Sequence, residues 1–311
     1  MGSLRPDVAE ALTTSSDTAR GTLLKRATVA SVSTALALVL GKTASWLATG
    51  SVALLASLVD SLMDVGASLL TALAVRYALK PADDEHRFGH GKSEALAALA
   101  QALIITGSAL FLVVHAIERI VTPQPLTALP IGIGMMVVSI VATGALVTFQ
   151  RYVVRRTGSD AIRADALHYV GDLSTNAVTI VALVLASFGW TQFDPLFAIG
   201  VAFVIGYGAL QIARDAFEVL MDRELPPELQ ERIREIAMNN PQVKGVHDMR
   251  TRRSGPTLVI ELHLEMDGRM SLEDAHTVGE EVDAAIVAAL PDADVIIHAD
   301  PVGLEEPRRF E

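Results

Sequence analysis

Six stretches of the chain are long and apolar enough to cross a bilayer, which takes about 20 mostly apolar residues: Leu23–Ala48, Val52–Leu79, Ala95–Ile120, Leu126–Val153, Ala161–Phe188 and Pro195–Ile212. Turn chemistry separates several of them, at Thr49-Gly50-Ser51, Pro123-Gln124-Pro125, Gly189-Trp190 and Asp194-Pro195. After Asp222 the pattern changes. Pro226 and Pro227 open an amphipathic helix to about Asn240, and Val243–Ser254 and Thr257–Met266 read as strands joined by a turn at Ser254-Gly255-Pro256. Within the second strand Leu258, Ile260, Leu262 and Leu264 alternate with Val259, Glu261, His263 and Glu265, a period of two in which Val259 is off register. Ser271–Leu290 reads as a helix N-capped by Ser271 with Asp274 three residues on, and Asp294–His298 as a last strand. The expected fold is a mainly α membrane protein of six transmembrane helices plus a small C-terminal cytoplasmic α/β domain of order αββαβ, ferredoxin- or metallochaperone-like. The expected boundaries are an N-terminal cytoplasmic segment at 1–22, a transmembrane domain at 23–221 and a cytoplasmic domain at 222–311.

Charge sharpens this division. The net charge is −11, yet 20 acidic and 10 basic residues lie from Asp222 onward, so the first two thirds are nearly neutral. An acidic tail argues against nucleic acid as a partner and suits a cation-binding domain. Arg76, Lys80, Arg87 and Lys92 fall between spans two and three, and Arg151, Arg155, Arg156 and Arg163 between spans four and five; the alternate loops carry no Lys or Arg. The positive-inside rule then places both termini in the cytoplasm. Residues 1–20 are polar and do not read as a cleavable signal peptide. With no cysteine in the chain, any metal ligands must come from His, Asp and Glu.

The polar residues inside the spans carry the chemistry. Asp60 and Asp64 in span two are i and i+4, so their carboxylates share one helix face. His168 and Asp172 repeat that spacing in span five. Bare carboxylates in hydrocarbon repel each other and cost several kcal/mol in lost solvation. Four ligands from two facing helices, three carboxylates and an imidazole, suit tetrahedral zinc better than calcium. The plain alternative is that these groups only tie helices together. In the loop after span two, Asp83, His86 and His90 could close three sides of a more exposed site. In the tail, His247, His263, His276, His298 and Asp300 sit at element ends or along strands, with His276 expected to reach over from the helix. Lys42 in span one is expected to snorkel outward, and His115, beside Glu118 and Arg119, to serve an interfacial or helix-packing role.

Leu58–Asp64, PADDEHRFGHGK at Pro81–Lys92, RADALHYVGD at Arg163–Asp172, VHDMRTRRSGPT at Val246–Thr257 and VIIHADP at Val295–Pro301 resemble the cation diffusion facilitator family, most of all its bacterial zinc/iron efflux branch. The likeness runs from about Leu23 to Pro301. It implies a homodimer in the bacterial inner membrane that exchanges metal for protons. It also implies that Asp60, Asp64, His168 and Asp172 form the transport site, and that Asp83, His86 and His90 form a loop site. His247, His263, His276, His298 and Asp300 match a two-ion cytoplasmic site at the dimer interface, and Lys92 and Asp222 a charge pair between the membrane and cytoplasmic parts. Where some relatives have Gln between the final His and Asp, this chain has Ala299. The implied cargo is zinc, with cadmium and iron(II) as further candidates. Metal binds neutral His and ionised Asp, so binding expels protons. A membrane metalloenzyme would need an open metal position and a general base, and no HExxH occurs. A passive channel would favour weaker, multi-ion sites. A membrane metal sensor is the remaining rival.

Overall fold

A spanning stretch ends where apolarity ends, but a helix ends only where its backbone is stopped. The computed structural model, which describes residues 6–50, 52–122, 130–188, 190 and 193–303, shows both limits. Its first six helices are α1 (Pro6–Thr49), α2 (Val52–Ala78), α3 (Lys92–Val121), α4 (Pro130–Thr157), α5 (Asp160–Ser187) and α6 (Phe193–Leu220). Each contains a stretch long and apolar enough to cross a membrane. The expected turns at Ser51, Pro123-Gln124-Pro125 and Gly189, and the start of span four at Leu126, lie outside the described residues.

α1 and α6 outrun their apolar stretches furthest. α1 reaches back to Pro6, a residue tolerated in the first turn of a helix because its missing N–H has no partner there. α6 runs past Ile212 to Leu220 and stops only at Asp222, whose φ of 57° breaks the helical path. There Arg223 N–H donates to Glu218 C=O at 3.0 Å and Asp222 N–H to Val219 C=O at 3.3 Å, the paired bonds of a left-handed helix stop.

Helices in lipid associate through close packing of small residues, since lipid tails are as apolar as leucine. Buried Ala27, Ala67, Ala98, Ala102, Ala161, Ala164 and Ala209 provide it. At Gly208 a Cβ would sit 3.0 Å from Leu167 Cδ2, a close contact between α6 and α5 that the bare position relieves. At one end of the bundle Arg20 Nη2 lies 3.4 Å from Glu94 Oε1, Ser159 Oγ donates to the other oxygen of the same carboxylate, and Arg163 pairs with Asp215 at 2.7 Å. α1, α3, α5 and α6 are thus tied through charge where they leave the apolar region.

The chain divides between Phe217 and Glu218 into two compact units. The second holds α7 (Pro227–Met238), β1 (Gly245–Ser254), β2 (Thr257–Met266), α8 (Leu272–Ala289) and β3 (Ala293–Pro301), the expected αββαβ order. The sheet runs β1-β2-β3, antiparallel then parallel. Ile260, Leu262 and Leu264 bury against Ile233 and Ala237 of α7 and Val278, Val282 and Ile286 of α8. Ser271 caps α8 by accepting from Asp274 N–H at 3.1 Å. Val259 is as buried as its neighbours, although it points away from the helices.

Candidate metal centre

Among the described residues, three groups of His and Asp converge closely enough to hold an ion. Within each, one ligand atom per residue lies within 4.8 Å of the others. The first joins α2 to α5. His168 Nε2 is 3.1 Å from Asp64 Oδ1 and 3.9 Å from Asp172 Oδ2. The i,i+4 spacing of His168 and Asp172 puts both on the α5 face that meets α2. Asp60 lies one turn back along α2 and is exposed, outside this triad.

Lys42 corrects an expectation. It does not snorkel outward: it is buried, and its ammonium donates to Ser61 Oγ at 2.6 Å and Ser57 C=O at 3.1 Å on α2. A lysine turns inward when a neighbouring helix offers acceptors and negative charge that lipid does not. His115 is exposed on α3, where it stacks on Phe111 and lies 3.6 Å from Glu118 of the same helix.

The second group closes the loop between α2 and α3. Asp83 Oδ1 accepts from the His86 N–H at 2.7 Å and the Glu85 N–H at 3.1 Å, a side-chain turn that curls the loop. The left-handed Gly89, at φ 74°, sends His90 back beneath it. His90 Nε2 then lies 3.3 Å from Asp83 Oδ2, and its ring is 4.6 Å from that of His86. Both His90 ring nitrogens are buried without a hydrogen bond, an arrangement an ion would satisfy. Lost solvation opposes charge on Asp83, but the backbone N–H and imidazole of His86, with His90, outweigh it and hold the carboxyl below its ordinary value.

The third group lies on the sheet face away from α7 and α8. Pairing sets His247 opposite His263 on β1 and β2, and His263 opposite His298 on β2 and β3. Asp300, buried at the end of β3, offers one oxygen to His263 Nδ1 at 2.7 Å and His247 Nε2 at 3.4 Å, which complete the converging group, and the other to His298 Nε2 at 3.1 Å, which lies beside that group. A carboxylate with ligands gathered at both oxygens can bridge two ions. His276 is not part of this group: it projects from α8 on the opposite side of the sheet and is largely exposed near Glu280. Asp222 faces Arg252 at 3.8 Å within the second unit, and Lys92 begins α3.

The sequence reading missed a buried polar knot one turn along α5 from the first group. Asp165 accepts from Ser31 Oγ at 2.6 Å and Gln150 Nε2 at 2.7 Å, and Gln101 Nε2 approaches at 3.4 Å. Ser31 Oγ is 2.9 Å from Ser68 Oγ, which is 2.7 Å from Tyr169 OH. The signal was present, since each of these residues is polar and lies within an apolar span. Near the third group, Asp248 and Glu265 also went unnoticed. Asp248, left-handed at φ 41°, sits at the bulge after His247, and Glu265 lies 3.1 Å from His247 Nδ1.

Comparison with known proteins covers nearly the whole chain. A family model described as the cation efflux transmembrane domain matches residues 28–221, and one described as the cation efflux protein, cytoplasmic domain, matches 225–302. The cation-efflux pump FieF of Salmonella arizonae is 49% identical over 293 residues, which are 94% of this chain and 98% of that protein. FieF of Citrobacter koseri is 50% identical over the same length and shares. The metal-bound C-terminal domain of the CzcD transporter from Thermotoga maritima is 32% identical, covering 25% of this chain and 93% of that one, with a TM-score of 0.25.

Proposed function

Because the chain belongs to the cation efflux family, the cation diffusion facilitators, we propose that it exports a divalent transition metal, zinc foremost, in exchange for protons. It does so as a homodimer in the bacterial inner membrane with both termini in the cytoplasm. Cadmium and iron(II) are secondary cargoes. The observation that carries this reading is the approach of His168 to Asp64 and Asp172 between two spanning helices. Ionisable groups that converge within a membrane span point to ion handling in the first place.

Asp64, His168 and Asp172 supply three ligands, and Asp60 completes the tetrahedron by a side-chain turn across one helical step. An ion requires neutral imidazole and ionised carboxylates, so loading from the cytoplasm displaces protons and outward release takes them up. This makes the exchange obligatory: the same lone pairs hold either protons or metal. Asp83, His86 and His90 hold an ion nearer water, where binding is dispensable for passage. His247, His263, His298 and Asp300 bind metal in the cytoplasmic domain, with His276 contributed across the dimer, and draw two acidic domains together.

The deciding experiment is zinc flux into proteoliposomes with and without an imposed pH gradient. Proton-coupled uptake that disappears in Asp64→Ala is expected. Zinc flux indifferent to the gradient would remove the antiport reading, and flux retained by Asp64→Ala the transport site.

A further inference from the structure

Lys42 is buried inside the bundle, and among the described residues its ammonium has no direct ionic partner. Both groups its ammonium contacts, the Ser57 carbonyl and the Ser61 hydroxyl, are neutral. Ser57, Ser61, Asp64 and Ser68 are spaced four, three and four residues apart, one stripe along α2. The ammonium is therefore held about one helical turn, ~5 Å, from Asp64 on that stripe, and beside the turn that carries Asp60. Asp64, Asp172 and Asp60 lie within electrostatic reach of it. The two serine oxygens keep the ammonium off the carboxylates, so their oxygens stay available to an ion while the positive charge stays near.

We propose that Lys42 is a positioning residue that sets the charge of the transport site without touching the ion. The inference rests on the reading of Asp60, Asp64, His168 and Asp172 as that site. Among the four ligands, three ionised carboxylates, a neutral imidazole and one divalent ion leave a surplus negative charge, and Lys42 cancels it; the Asp165 carboxylate, one turn further along α5, has its own donors in Ser31, Gln150 and Gln101. A monovalent ion would leave the loaded site negative and a trivalent one would leave it positive. A neutral loaded site moves through a low-dielectric bundle at least cost, so Lys42 favours divalent cargo. Its repulsion of the bound ion also weakens binding and speeds release.

The test is zinc flux by the full-length protein in proteoliposomes, read as KM and kcat separately. Lys42→Met and Lys42→Gln remove the charge; KM should fall about tenfold or more and kcat should fall with it. Lys42→Arg keeps the charge and should hold KM within about threefold of the parent. A residue that only packed the helices would raise KM or leave it unchanged when lost, so tighter apparent binding is the distinguishing readout. The double variant Lys42→Met with Asp60→Asn restores the charge count and should transport faster than either single variant. Unchanged or raised KM in the neutral variants overturns the proposal. If Lys42→Met fails to insert, Lys42→Gln, whose amide can still donate to α2, decides: a lowered KM supports the proposal and an unchanged or raised KM overturns it. Asp64→Ala is run in parallel. Transport by that variant would overturn the site reading and this proposal together, whereas a silent Asp64→Ala with unchanged KM in Lys42→Met would overturn this proposal alone.

Discussion

A carboxylate in hydrocarbon persists only where something shares its charge, and the three at Asp60, Asp64 and Asp172 differ in what they have. Asp64 and Asp172 already face His168, whereas Asp60 stands one turn away. Asp64→Ala and Asp172→Ala should each abolish zinc flux while leaving a folded protein, judged by monodisperse elution in detergent. Asp60→His should shift preference toward zinc over cadmium. Imidazole offers one directional nitrogen, while a carboxylate adapts to the larger ion by binding through both oxygens. Parallel zinc and cadmium fluxes at one pH check this; an unchanged ratio with active transport would place selectivity in the helix packing.

At the scale of elements, what positions α5 is the knot around Asp165, which ties it to α1, α3 and α4 through Ser31, Gln101 and Gln150. Gln150→Leu removes a donor to a buried carboxylate and should destabilise the bundle by about 1–3 kcal/mol. Thermal unfolding in detergent measures the loss, and an unchanged midpoint would mean that the knot is not a tie. The loop between α2 and α3 is a separate element with its own turn. His86→Ala with His90→Ala should therefore slow flux less than Asp64→Ala. Equal loss in the two would make the loop an obligatory step on the path.

At the scale of the molecule, the acidic second unit has its own core around Ile260, Leu262 and Leu264 and should fold without the membrane. A chain from Asp222 onward should be soluble and should associate into a dimer when zinc is added, because its net negative charge opposes association without metal. Sedimentation velocity with and without zinc measures this, and profiles that zinc leaves unchanged would contradict a metal-bridged interface.

Local rules account for what the chain shows by itself. Apolar runs longer than a bilayer specified the six spans, and period-two alternation with turn residues specified αββαβ. The i,i+4 pairs placed carboxylates and imidazole on shared helix faces, because side-chain direction follows directly from helical geometry. Packing decided the rest. Spacing within α2 treats Asp60 and Asp64 alike, and only the approach of α5 gives Asp64 the histidine. Sequence cannot tell whether a lysine near a helix end meets lipid or another helix; Lys42 turns inward because α2 presents two oxygens at that height. Helix α8 covers one sheet face and carries His276 away from the other three histidines, a consequence of which face the core occupies. Residues on one element are related by its backbone geometry, but residues on different elements meet only through the way those elements pack.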